Sequence, residues 1–352
     1  MTEALNNTPA PRGRAQLLAL HAESGVHAGT GSTISHLDLP IQRENFTKLP
    51  IFQASTVKGA LREHFESLAA SVTAAGEGTR QAAEKQVDAF FGPERGDLTA
   101  GMGLIQEGRL LLLPIRSRVS VYAMVTCPLQ LQRLKRDVAG ILPYLNDETR
   151  ASAERFLGLA VPEPGESQAA VVASSPLQAQ STGHIFLEDY RFQVLAPFES
   201  SCDALALWFS EWLYGSAQPA DLTDQYFKSR FATHFAILSN DDFLAFAEMH
   251  LPIETHIQLN EGGTVAFGPW NEEFLPPDSV VSLAVVMPEP LTGVPGTAVF
   301  PDSDAMNTYF AAGVCTGTRI RLGGGRSLGK GLLRSALLGG TIGLATNGEP
   351  TC

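Results

Sequence analysis

Three segments of the chain combine residue types that could contact phosphate or perform acid–base chemistry. In the first, residues 27–44, Gly29 and Gly31 let the backbone approach a ligand closely, so that its N–H groups could face a phosphate. Asp38 lies two residues before Pro40, in a stretch that the proline keeps extended, so its carboxylate is expected to be held in place. A lone aspartate in a loop is more often a turn or capping residue than a catalytic one, so the spacing alone favours the structural role.

The second segment, residues 55–62, places two cations on one helical face. Lys58 and Arg62 are one turn apart. They lie in the first two turns of a predicted helix, for which Ser55 and Thr56 are suitable caps, and the helix dipole favours anions there. The pattern fits a phosphate clamp and fits two ordinary surface cations equally well.

The third segment, residues 323–331 (GGGRSLGKG), is rich in glycine and carries basic side chains. It departs from the nucleotide-binding pattern GxxxxGK[ST], because Gly331 follows Lys330 where a serine or threonine would bind magnesium. It also precedes a predicted strand and not a helix. A glycine-rich loop with Arg326, Lys330 and the backbone of Gly324 is better suited to lying against a nucleic-acid backbone.

The charge distribution leaves nucleic-acid binding open although the net charge is −12. Residues 1–62 carry six basic and four acidic side chains, and residues 319–334 carry five basic and no acidic ones. Binding depends on the local field and not on the net charge, although each basic stretch could also be an ordinary solvated face.

Several classes of protein are disfavoured by the composition. The four cysteines are far apart without a CxxC pair, and the histidines lack HxxxH or HxH spacing, so a zinc site or disulfide framework is not expected. No apolar run is long enough for a membrane span, and the N-terminus lacks a signal core. We therefore expect a cytoplasmic protein with reduced thiols.

Helical and strand patterns are mixed along the chain without strict alternation, which predicts an α+β fold. Residues 252–260 and 263–268 are predicted to form a hairpin around Gly262-Gly263. Residues 1–14 and 341–352 are predicted to be tails, and residues 145–183 an irregular insertion.

Six pieces of sequence, in this order, resemble the RAMP superfamily of CRISPR proteins, and more narrowly its Cmr-type (type III-B) backbone subunits. They are distributed over most of residues 15–336, and the combination of DLPIQRE, LPIRS and a terminal GKGL is specific. The pieces are HAGTGSTISHLDLPIQRE (27–44), KLPIFQASTVKGALR (48–62), GRLLLLPIRS (108–117) with the following VTCP, HIFLEDYRF (184–192), LPIETHIQLNEGGTVAFGPWNEEFLPPD (251–278) and IRLGGGRSLGKGLLR (320–334). One departure is Gln53-Ala54, where the family usually has Pro-Gly.

The resemblance implies a ferredoxin-like, RNA-recognition-type palm over residues 15–340 and a thumb hairpin at about 250–278. Copies would stack head to tail along a guide RNA, together with other type III-B effector subunits in an antiviral ribonucleoprotein. Each thumb would displace one base of the guide–target duplex, with Ile253, Ile257 and Leu259 as wedge residues.

The resemblance also assigns roles to individual residues. Asp38 would cleave the target RNA with a loosely bound divalent cation, Mg²⁺ or Mn²⁺. The implied RNA contacts are His27, Gly29, Gly31, Arg43, Ser55, Lys58, Arg62, Gly324, Arg326 and Lys330.

Two other functions remain open from the sequence. The chain could be a scaffold that binds RNA without cutting it, although the presence of Asp38 argues against this. It could also be a guide-processing RAMP ribonuclease that uses histidine without metal, in which case the thumb and DLPIQRE would be expected to be missing.

Overall fold

A computed structural model describes residues 12–31, 37–71, 77–94, 100–179, 183–215, 222–291 and 298–339. The strands in these ranges are β1 (Gly13–Ala22), β2 (Ile51–Phe52), β3 (Leu104–Ile105), β4 (Gly108–Ser117), β5 (Val121–Thr126), β6 (Gln168–Val171), β7 (His184–Leu187), β8 (Tyr190–Val194), β9 (Phe235–Leu238), β10 (Ile253–Leu259), β11 (Val265–Glu273), β12 (Val280–Pro288), β13 (Arg319–Arg321) and β14 (Leu332–Leu337). The helices are α1 (Ala54–Ser71), α2 (Glu77–Phe91), α3 (Pro128–Ile141), α4 (Asp147–Gly158), α5 (Glu199–Tyr214), α6 (Leu222–Thr233), α7 (Asn240–Met249) and α8 (Ser303–Gly313). The fold is of the mixed α+β class that the sequence predicted.

One twelve-stranded sheet organises the chain, in the order β13-β14-β1-β12-β4-β5-β9-β6-β8-β7, with β2 beside β4 and β3 beside β12. The pairs β5–β9 and β6–β8 are parallel, and the other pairs are antiparallel. Because β4 also pairs with β7, the half of the sheet from β4 to β7 curls into a barrel-like arrangement.

Strand β1 lies between β14 and β12 and is buried on both faces. Alternate residues of a strand point to opposite faces. Leu18 and Leu20 join a core with side chains of α1, α2, α7 and α8, whereas Leu17 and Ala19 join a second core with side chains of α3 to α6. Helices therefore cover the sheet on both sides. No helix of the described residues is long and apolar enough to cross a membrane.

The segment 145–183, predicted to be irregular, contains α4 and β6, so that prediction is wrong for these residues. Asn146 caps α4 by accepting the N–H of Thr149 at 2.8 Å, and Ala153 and Phe156 are fully buried. Large apolar side chains are sparse in this helix, which is why its hydrophobic pattern was weak. The helix α6 and the strand β9 were also not predicted.

Two predicted boundaries also differ. Strand β1 begins at Gly13, inside the predicted tail 1–14, whereas residues 1–11 and 341–352 lie outside the described residues. Helix α1 begins at Ala54, so Ser55 lies in its first turn and does not precede it as a cap.

Candidate functional site

A two-stranded hairpin of β10 and β11 stands apart from the main sheet. Asn260 forms its turn: its N–H donates to the carbonyl of Thr264 at 2.9 Å, and its side-chain oxygen accepts the N–H groups of Gly262 and Thr264 at 3.0 and 3.1 Å. Gly263 has a φ of +76°, which favours glycine. The hairpin lies where the sequence predicted one, but β11 extends to Glu273.

The apolar side chains of this hairpin face solvent. Ile253, Ile257 and Leu259 are 57%, 49% and 55% exposed, and Phe267 is 66% exposed. Leu259 pairs with Val265 across the strands, so these two side chains lie side by side. A hairpin that packed into the protein core would bury these residues, and this one does not.

Asp38 is tied to the base of the hairpin. The backbone N–H of Asn271 donates to its carboxylate at 2.8 Å. The next residue, Leu39, donates to the carbonyl of Asn271 and accepts the N–H of Glu273, both at 3.0 Å. One hydrogen bond to the Asp38 carboxylate and two to the backbone of Leu39 therefore hold this loop against the hairpin base.

The buried carboxylate of Glu273 also stabilises the junction between the Asp38 loop and the hairpin base. Glu273 is 4% exposed, accepts the N–H of Ile41 at 3.0 Å and pairs with Arg43. Arg43 also donates to the carbonyls of Lys48 and Ala247 at 2.7 and 2.8 Å. The family resemblance implied that the Arg43 guanidinium would bind RNA. In the structure the guanidinium is hydrogen-bonded within the protein, and sequence spacing could not show these partners.

A second set of charges surrounds the hairpin base, and the sequence did not predict it. Glu272 lies 3.5 Å from a ring nitrogen of His27 and 3.2 Å from one of His256. His27 is buried, and its Nδ1 lies 2.8 Å from the carbonyl oxygen of Glu273. Lys330 pairs with Glu254 on β10. The order of these residues in the chain gives no signal for the cluster, because they come from both strands of the hairpin and from two loops that are distant in sequence.

The glycine-rich loop packs against His27. The N–H of Gly324 donates to the carbonyl of His27 at 2.9 Å. Lys330 reaches across the loop to lie 4.1 Å from the ring centroid of Phe274. The loop, His27 and the hairpin base, which are distant in sequence, thus form one surface.

Arg326 of the same loop pairs with Glu63 of α1. The hydrogen bond from Arg326 lowers the pKa of the Glu63 carboxyl below its ordinary value. Both side chains are more than a third exposed, and exposed pairs of this kind are weak, so a phosphate could displace the carboxylate.

Replacing Gly323 with alanine is expected to destabilise the fold by more than about 1 kcal/mol. Gly323 has a φ of +88°, and a Cβ there would overlap the carbonyl oxygen of His27. Gly329 is the matched control, because its φ is +79° but a Cβ would meet no neighbouring atom. Denaturant unfolding should show a larger loss for Gly323→Ala than for Gly329→Ala, and equal losses would mean that the loop relaxes away from His27.

The two cations of α1 differ in their surroundings. Arg62 donates to Glu66 and Asp88, each at 2.7 Å, and to the carbonyl of Gly92, which ties α1 to α2. Burial opposes its charge, but these hydrogen bonds outweigh burial and raise the pKa of Arg62. Lys58 is half-buried and forms no ion pair with the described residues. The sequence spacing alone had made Lys58 and Arg62 equivalent candidates for a phosphate contact.

The remaining predicted contacts lie at the start of the Asp38 loop and on α1. Gly29 bridges to Ile41, and its carbonyl accepts the side chain of Gln42 at 3.2 Å. Gly31 has a φ of +94°. Ser55 is exposed, and residues 32–36 lie outside the described residues.

Within the described ranges, no group of three His, Cys, Asp or Glu side chains is placed to hold a metal ion. Asp38 contributes one carboxylate, of which one oxygen already accepts the N–H of Asn271. Magnesium sites often use only one or two carboxylates together with phosphate oxygens and water, so Asp38 suits a cation that is bound jointly with RNA.

The chain belongs to the RAMP superfamily, whose family model matches residues 19–334. It is 26% identical over 331 residues to the CRISPR system Cmr endoribonuclease Cmr4 of Pyrococcus furiosus, covering 92% of this chain and 96% of that protein.

Solved structures share the fold. The structure of oligomeric Cmr4 from Pyrococcus furiosus superposes with a TM-score of 0.62 at 20% identity and covers 92% of this chain and 98% of that one. A chain of the cryo-EM structure of type III-B Cmr-beta bound to cognate target RNA gives a TM-score of 0.62 at 16% identity, covering 94% and 99%.

Proposed function

We propose that this chain is a backbone subunit of a type III-B CRISPR ribonucleoprotein, and that it cleaves target RNA complementary to the guide. Copies of the chain bind the guide head to tail, beside the other effector subunits. A heterologous interface of this kind repeats without closing, so the RNA can set the number of copies. The family membership and the similarity to Cmr4 along almost the whole chain support this assignment.

One observation carries the catalytic part of the proposal: the Asp38 carboxylate is hydrogen-bonded to the base of the projecting apolar hairpin. A wedge that displaces a base from a duplex and a carboxylate that acts on the neighbouring linkage must keep a fixed relation, and this hydrogen bond provides it. Reactive groups that are held in the correct geometry gain rate from positioning alone.

The proposed reaction follows from that geometry. Exposed side chains of the hairpin, with Leu259 and Phe267 at the outer end, displace one base, which costs a few kcal/mol and kinks the flanking backbone. The kink aligns a 2′-hydroxyl with its own phosphate, so that its oxygen attacks the phosphorus. The bond from phosphorus to the 5′-oxygen of the next nucleotide breaks, which leaves a 2′,3′-cyclic phosphate and a 5′-hydroxyl that takes up a proton from water. Asp38 assists removal of the 2′-hydroxyl proton, or would hold a divalent cation there. Such a cation, Mg²⁺ or Mn²⁺, would stabilise the charge that develops on the phosphate.

Recognition of the sequence belongs to base pairing, whereas the protein contacts the shape and backbone of the RNA. We assign the palm, as a ferredoxin-like RNA-recognition fold, to the antiparallel strands β14, β1, β12 and β4 with α1 and α8, which pack in the same core. Their adjacency in the sheet supports this assignment. Lys58, the glycine-rich loop and the backbone near Gly29 and Gly31 are the proposed contacts to the guide.

Removing divalent cations is expected to abolish cleavage by the purified complex. Target RNA is incubated with the complex in EDTA and then with added Mg²⁺ or Mn²⁺, and product is measured on a gel. A gel shift on the same samples provides the control, because target binding should persist in EDTA. Undiminished cleavage in EDTA would favour a metal-independent ribonuclease and would contradict the role of the cation.

Replacing Lys58 with glutamine is expected to weaken guide binding for every guide sequence. The slope of log affinity against log salt should fall by about 0.7 to 0.9, the value for one lost phosphate contact. Arg62→Gln should leave that slope unchanged and lower thermal stability, since Arg62 joins α1 to α2. Filter-binding titrations over several salt concentrations and thermal melts measure the two effects, and identical slopes for Lys58→Gln and wild type would exclude the contact.

A further inference from the structure

A groove of about 760 Å³ lies beside residues 43–46. The proposed cleavage reaction does not use this groove. Its walls come from residues 43–46, which follow the Asp38 loop, from the start of β4 and from α3. Gln53, the residue before α1, lies at its edge. Its volume is in the range of sites that hold small organic ligands.

The solvent-exposed aromatic ring of Phe46 lines this groove. Phe46 is 81% exposed, the highest value among the large apolar side chains of the described residues. The guanidinium carbon of Arg133 lies 5.6 Å from the centroid of the Phe46 ring. Arg133 is itself held by Glu44 at 2.9 and 3.1 Å. The protein thus presents a ring beside a fixed planar cation, the combination on which unpaired nucleobases stack.

Three side-chain amides line the same groove as the ring. Asn45, Gln53 and Gln132 are exposed and line the groove, and none of their amides makes a hydrogen bond to the described residues. An amide carries both donors and an acceptor, so it can pair with the edge of a base.

The groove also offers a cation that is only weakly paired. Arg136 is 70% exposed, and the nearest carboxylate oxygen, on Asp137, is 3.9 Å away. Asp137 already accepts a hydrogen bond from Arg109 at 2.9 Å. Arg136 is therefore available to a phosphate without breaking a close ion pair.

We propose that this groove binds one unpaired ribonucleotide, with its base stacked on Phe46, its edge against the amides and its phosphate on Arg136. The inference rests on the proposed RNA-binding function and adds a site to it. Guide RNA and target RNA share the chemistry that this site recognises.

The test measures binding of a short, labelled oligouridine to the full chain. Phe46→Ala should weaken binding by about tenfold, which is within the range for loss of one stacked base. Phe46→Trp should keep the wild-type affinity, because the larger ring can also stack on a base. Arg136→Gln should weaken binding and reduce its salt dependence.

The matched controls are residues of similar exposure outside the groove. Val121 is 71% exposed and Arg116 is 73% exposed, so Val121→Ala and Arg116→Gln should bind like the wild type. If Phe46→Ala also binds like the wild type, the groove inference is wrong while the proposed function stands. If the wild-type chain binds no RNA, both fail. Altered self-association in sedimentation with unchanged RNA affinity would make the groove a protein contact and would also overturn the inference.

Photocrosslinking in the assembled complex identifies the source of the nucleotide. Thiouridine is placed in the guide in one sample and in the target in another, and the crosslinked peptides are mapped. A crosslink to the peptide that contains Phe46 from either strand supports the site and names its ligand. Crosslinks elsewhere from both strands, with none to this peptide, would contradict it.

Discussion

Replacing Asp38 with asparagine is expected to lower target-RNA cleavage by at least about 100-fold, the lower range for loss of an acid–base group. Guide assembly and target affinity should hardly change. Asparagine keeps an oxygen that can accept the N–H of Asn271, which lies 2.8 Å from the carboxylate, so the hairpin base stays anchored. The variant loses only the negative charge needed for proton transfer or for a cation.

Two comparisons define what this result means. Asp38→Ala should also abolish cleavage, but it removes the anchor to Asn271 as well, so any additional change in product spacing reports on the anchor. Glu44→Gln should lower cleavage less, because Glu44 is buried and accepts a hydrogen bond from Arg133 at 2.9 Å. Cleavage by the Asp38→Asn complex at the wild-type rate would exclude Asp38 as the catalytic carboxylate.

Shortening the hairpin is expected to remove the regular spacing of the cuts while leaving the fold intact. Residues 257–269 would be replaced by an Asn-Gly turn that joins His256 to Trp270, which are paired across the strands. The hydrogen bond from Asn271 to Asp38 is kept. In the described part of the chain, residues 257–269 hydrogen-bond only within the hairpin, so their removal should shift the melting temperature little.

A long target RNA and a thermal melt provide the readout for the shortened protein. Without the wedge, no base is displaced to set the in-line geometry, and the ladder of products should disappear. A variant with serine at 257, 259 and 267 keeps the backbone of the hairpin and should lose the ladder as well, whereas serine at the exposed Tyr226 of α6 should not. A ladder that persists in the shortened protein would mean that the spacing arises elsewhere, and a protein that cannot fold would mean that the hairpin is structural.

Local patterns predicted much of the fold. The short apolar run of β1 and the i, i+4 spacing of Val57, Leu61 and Phe65 on α1 are signals within one element, and both elements are present with those residues buried. The turn at Gly262-Gly263 is likewise local, because the conformation at Gly263 depends on that residue itself. By contrast, α4 depends on long-range packing of Phe156 against Trp208, with ring centroids 4.2 Å apart, which no local pattern reveals.

The candidate site was predictable as a set of segments but not as a set of partners. The glycine-rich loop could be singled out from residue type and spacing, whereas the role of Asp38 was implied by the family resemblance. The engagement of Arg43 by Glu273 and of Arg62 by Asp88 joins residues that are 230 and 26 positions apart. Sequence shows which residues carry charge, whereas the fold decides which of those charges are already neutralised.

The RNA that copurifies with the chain from its own cells, followed by cleavage of synthetic targets by the same particle, provides the decisive measurement. We expect guide RNAs in the particle, together with several copies of the chain and other effector subunits. Targets complementary to those guides should be cut at regular intervals, and unrelated RNA should remain intact. A particle without RNA, or one that cuts complementary and unrelated RNA alike, would contradict guided cleavage by this subunit.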